Sequence, residues 1–150
     1  IAEDTETTKR ALRVLTADCV PKDVRAWFEQ ETALRIEEDL AVVLKAFKED
    51  CIDKIKRDDG NSKADIEANR VNCNQLKKQY QREIKPKLDS IISIFGFESS
   101  TARHSRESVA ECLQLLASAF TWGDGRKEST ELLEIAAALA EDSIAEARIS

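Results

Sequence analysis

Cys19, Cys51, Cys73, Cys112 and His104 are the thiols and the imidazole with which this chain could do metal or nucleophilic chemistry. A single histidine excludes every site that needs two, among them the paired Glu-x-x-His motifs of di-iron bundles. A structural zinc would have to gather four ligands from distant stretches, because no C-x-x-C or other close pair occurs. Glu37-Glu38-Asp39 and Asp58-Asp59 are dense in carboxylate but lack the alternating oxygen ligands of an EF-hand loop, so they read as solvated faces. A Cys–His dyad would need His104 beside Cys112. The thiol shares helical spacing with Val109 and Leu116, which turns it toward a core rather than a substrate. His104 falls in a polar stretch and reads as a solvated imidazole. Gly-rich phosphate loops, Gly-x-Ser-x-Gly and the dinucleotide fingerprint are all missing. The expectation is a non-enzymatic chain with no cofactor and no metal.

Charge carries more information. The 150 residues hold 23 Lys and Arg against 29 Asp and Glu, a net charge of −6, which matches a polyanion poorly, so nucleic acid is not expected as a partner. Lys77, Lys78, Arg82, Lys85 and Lys87 nevertheless crowd into one short stretch against the single acid Glu83. Lys78, Arg82 and Lys85 fall at helical spacing, away from the apolar Leu76, Tyr80 and Ile84. This is either an ordinary solvated face or a docking patch for an acidic partner or anionic lipid. Trp122, beside the Gly123-Asp124-Gly125 turn, and Trp27 are either core plugs or exposed anchors of the kind enriched at binding hot spots.

The elements that must position these residues are helical nearly everywhere. Four Gly and two Pro leave too few turn formers for an all-β chain. A first helix is expected from about Asp4 to Asp18. Pro21 opens a second that carries Phe28, Ile36, Leu40, Leu44, Phe47, Cys51 and Ile55, with a stumble in the rhythm at Glu29–Thr32. Asp58–Ser62 is a turn, and Ser62-x-x-Asp65 caps a third helix whose stripe runs from Ile66 to Phe95. Pro86 should bend that helix or restart it. Gly96 ends it, Glu98–His104 reads as a loop, and Ser105 is taken as the cap of a fourth helix. The last helix, about Lys127 to Ala147, is almost wholly apolar from Leu132 to Ala140, so it is either buried or covered by a partner. No apolar run approaches the ~20 residues that span a bilayer.

The fold class is therefore all-α: one domain over residues 1–150, an antiparallel bundle of about five helices with a long central hairpin. Starting at Ile1 and lacking Met, the chain reads as an excised or processed piece. The irregular cysteine spacing favours reduced intracellular thiols over a secreted form. Were disulfides to form, helical rise would pair Cys51 with Cys73 and Cys19 with Cys112. The functional expectation is an interaction module that presents a helix face or hairpin to a protein partner or to a second copy. The alternative is a carrier of small apolar ligands or lipid, with a cavity between its helices.

Overall fold

The computed structural model describes residues 2–15, 21–57 and 62–149. These form helices α1 (Ala2–Leu15), α2 (Lys22–Asp53), α3 (Lys63–Gln79), α4 (Lys85–Phe95), α5 (Ser100–Thr121) and α6 (Arg126–Ile149). A π-helical turn, Tyr80–Ile84, joins α3 to α4 in one continuous rod, so the architecture is five helical rods with no strand among the described residues. Pro86 explains the turn. Its ring would collide with the carbonyl four residues back in a regular helix. The chain instead widens for one turn, where the Lys85 N–H donates to the Tyr80 carbonyl, and Pro86 enters the first turn of α4. The expected interruption is thus a local change of helical pitch.

Cross-helix contacts give the directions. Lys56 faces Asn69, Lys54 faces Asn72, and Asp50 faces Gln79, so α2 and α3 form the expected antiparallel hairpin. Helix α5 runs parallel to α2, with Cys112 beside the Leu44 carbonyl and Glu111 paired to Lys48 at 3.3 Å. It packs against α2, α3, α4 and α6, and it is the most deeply buried rod. Helix α6 folds back along α5 and packs chiefly on it, while α1 lies over α2 and α4 on the other side of the hairpin. The core joins Leu40, Leu44 and Phe47 of α2 to Leu76, Ile84 and Ile91 of the middle rod. Val109, Leu113, Leu116 and Phe120 of α5, with Leu132 of α6, complete it.

Three details depart from the sequence reading. Helix α2 is continuous through Glu29–Thr32, because Phe28, Thr32 and Ile36 still face α1 at helical spacing. Helix α5 begins at Ser100 rather than after Ser105: the Ser99 hydroxyl accepts the Ala102 N–H at 3.1 Å and caps it. Ser105 is buried inside the helix instead. Finally, α6 is neither buried all round nor fully covered. Leu132 and Ala136 enter the core, whereas Leu133, Ile135, Ala137 and Ala138 are exposed, since α6 sits at the edge of the bundle.

Close approaches fix the turns. A Cβ on Gly123 would stand 2.8 Å from the Arg70 backbone nitrogen, so only glycine lets α3 pack on the α5–α6 corner. Asn69, wholly buried, accepts from the Lys56 N–H at 2.9 Å and donates to the carbonyls of Lys56 and Trp122 at 2.9 and 3.0 Å. One side chain thereby ties the end of α2, the start of α3 and the end of α5 together.

Candidate interaction surfaces

Thiol chemistry comes first. Cys51, Cys73 and Cys112 are buried and free, and they converge in the core from α2, α3 and α5. Burial pushes the Cys51 thiol up to about 12, with the neighbouring Cys112 and Cys73 adding to the effect. Burial likewise raises Cys73 and Cys112 to about 11 each. A thiol held neutral in this way is a poor nucleophile and a poor metal ligand. Among the described residues no group of three or more His, Cys, Asp and Glu is arranged to hold a metal ion. Cys51 and Cys73 share a level, as the hairpin requires. Cys112 does not lie near the start of α2, where helical counting had put it. It stands beside Leu44, about 33 Å along α2 from Lys22. The physical reason is that α4 ends level with Glu29, well inside α2, so α5 enters the bundle farther along than a full-length return would allow. Cys19 lies outside the described residues. His104 is exposed in the first turns of α5, beside a 260 Å³ groove shared with Leu34, Glu37 and Glu38.

The basic cluster divides. Lys78, Arg82 and Lys85 are exposed at successive turns of the α3–π–α4 rod, while Lys77 and Lys87 are half-buried. Lys87 lines a 150 Å³ groove beneath α1 with Thr5, Asp39 and Ser90, and so belongs to a different side of the molecule. Arg82 pairs with Glu83 at 3.6 Å and Lys85 with Asp89 at 3.1 Å, both in solvent, where such pairs contribute little. Lys78 makes no ion pair among the described residues. The ridge keeps part of its positive field.

The two tryptophans have opposite fates. Trp122 ends α5 half-buried against the core, with its carbonyl held by Asn69. Trp27 is 61% exposed. It stands near the start of α2, on a stretch that α5 does not reach, and walls a 400 Å³ groove against α1. Farther along the outer face of α2, Leu34, Val42 and Ile52 are also exposed. The sequence leaves Trp27 open between core plug and exposed anchor and does not single out Leu34, Val42 or Ile52; the structure exposes all four. A single exposed aliphatic residue is ordinary, and what carries information is several gathered on one side of a helix, as Trp27 and Leu34 are. Among the described residues, the groove at Trp27 opens to solvent against α1 and the groove at Leu34 against the start of α5.

Among the described residues no helix is long and apolar enough to cross a membrane. Comparison with protein-family models, with curated proteins and with solved structures returned no match.

Proposed function

We propose that this chain is a helical protein-interaction module without a reaction of its own, presenting the outer faces of its rods to another protein. The observation that carries the reading is the exposure of Trp27, Leu34, Val42 and Ile52 on α2, and of Leu133 and Ile135 on α6, around a core that is already closed. A bundle gains little for its own stability from large apolar groups in water, and where such groups gather on one helix side they suit a surface that a partner covers. The ridge of Lys78, Arg82 and Lys85 adds a positive surface that would steer an acidic partner. The carrier alternative has less support, because a carrier encloses its ligand and the grooves among the described residues open to solvent.

Affinity capture with the full chain tests the reading. Wild-type bait should retain a discrete protein that is lost from bait carrying Leu133→Asp with Ile135→Asp, or Trp27→Ala with Leu34→Asp, or glutamates at Lys78, Arg82 and Lys85. Identical recovery on wild type and all three variants, each with an unchanged melting temperature, would overturn it.

A further inference from the structure

The outer face of α2 carries a regular seam. Trp27, Glu31, Leu34, Glu38 and Ala41 follow one another at alternating spacings of four and three, and all five are exposed. They form a nearly straight line about 21 Å long, whose first members, Trp27 and Glu31, border the groove against α1 and whose later members, Leu34, Glu38 and Ala41, border the groove against His104 and Ser108 of α5. Trp27, Leu34 and Ala41 are seven apart, with Glu31 and Glu38 between them, which is the spacing of a coiled-coil contact line. The apolar members leave ample surface for a partner: Trp27 is 61% and Leu34 47% exposed. Neither glutamate is neutralised: Glu31 and Glu38 make no ion pair among the described residues. Of the charged residues on or beside the line, Glu31, Glu37 and Glu38 are acids and Arg35 the one base, whereas Glu29 and Asp39 turn toward the grooves beneath α1, so acids outnumber bases along the seam.

Resting on the interaction-module reading, we propose that this seam docks a cationic amphipathic helix of a partner protein. The partner helix would carry apolar residues seven apart to meet Trp27, Leu34 and Ala41, with Lys or Arg between them to meet Glu31 and Glu38. Its anchor residue would enter the groove that Trp27 walls with Phe28 and Ile36. Charge complementarity selects this occupant over a second copy of the chain. Two seams face to face would bring glutamates together in the contact line, which is destabilising. The chain's own basic ridge fits poorly as well, because Val71 is the one exposed large apolar residue on α3.

The test uses the full chain with Trp122→Phe, so that emission reports Trp27 alone. The probe is a synthetic 21-residue helical peptide (three heptads) with leucines at one contact position and arginines at the other; a matched control replaces each arginine with glutamate. Saturable binding of the cationic peptide with a blue shift of Trp27 emission is expected. It should weaken at least about tenfold in Leu34→Asp, and Glu31→Lys with Glu38→Lys should reverse the preference between the two peptides. Circular dichroism melts check that the variants fold, as these side chains are all outside the core. Equal binding of both peptides, or binding unaffected by Leu34→Asp and by the charge reversal, would overturn the proposal. So would absence of saturation, or sedimentation showing that the chain dimerises through this seam and loses the dimer in Leu34→Asp. If the peptide fails while captured protein is still lost from the α6 or basic-ridge variants, the module reading stands and the seam does not.

Discussion

At the scale of single residues, the buried thiols make a prediction with a definite sign. Cys51, Cys73 and Cys112 are displaced upward from 9.0 by burial, to about 12, 11 and 11. For a group raised in the folded state, the stability it contributes is complete below 9.0 and is lost as pH climbs through 11 to 12. Unfolding free energy should fall between about pH 8 and about pH 10.5, and fall less steeply in Cys51→Ala, as denaturant titration of both proteins at each pH would show. An equal slope in the two would exclude the thiol as a cause. Two polar or small residues matter as much. Asn69→Leu leaves the Trp122 carbonyl and both Lys56 backbone groups without their partner, at an expected cost of about 1–3 kcal/mol. Gly123→Ala drives a methyl into the backbone of α3 and should cost a similar amount, about 1–3 kcal/mol. Gly123 is legible in the sequence as a turn residue, whereas nothing in the local pattern singles out Asn69. Its burial comes from the meeting of three helix ends, which no local pattern records.

At the scale of elements, stripes at helical spacing were enough to place Phe47 and Leu76 on facing sides of the hairpin, and both are buried. Phe47→Ala or Leu76→Ala should each cost about 2–5 kcal/mol by lost transfer free energy and residual cavity, measured by chemical denaturation. A loss below about 1 kcal/mol at both would mean the wrong helix faces had been paired. Helix starts were less legible. Ser99 and Ser105 are both able to cap, and the polar residues around Ser105 conceal that Ala102 and Arg106 are buried. The Arg106 guanidinium lies 3.8 Å from the Phe97 ring centroid and donates to the Leu139 carbonyl at 2.8 Å. Those are tertiary contacts, and they override local polarity. The apolar run of α6 misled in the opposite sense, because composition alone does not say whether a helix lies inside a bundle or on its edge.

At the scale of the whole molecule, the layers run α6, α5, the α2–α3–α4 pair, then α1, and the end layers cover only part of what lies beneath them. That partial cover leaves the faces of α2 and α6 open and separates them from the basic ridge. The ridge was readable as a charge run, whereas the choice between Trp27 and Trp122 was not, since it depends on how far α5 extends along α2. Glutamates at Lys78, Arg82 and Lys85 together should change stability by no more than about 0.5 kcal/mol each, because the native pairs are exposed. Any effect of that triple variant on association should therefore appear with a melting temperature changed by no more than a few degrees. The central claim is that the outer rod faces, and not an interior site, carry the function. Photo-crosslinking residues placed singly at Trp27, Lys78 and Leu133, in the full chain within its native cells, test it most directly. A covalent adduct to one discrete protein is expected from at least one of these positions, and none from a crosslinker at exposed Lys63, at the far end of the middle rod. Adducts to no protein from all three surfaces, with the labelled chains correctly folded, would contradict it.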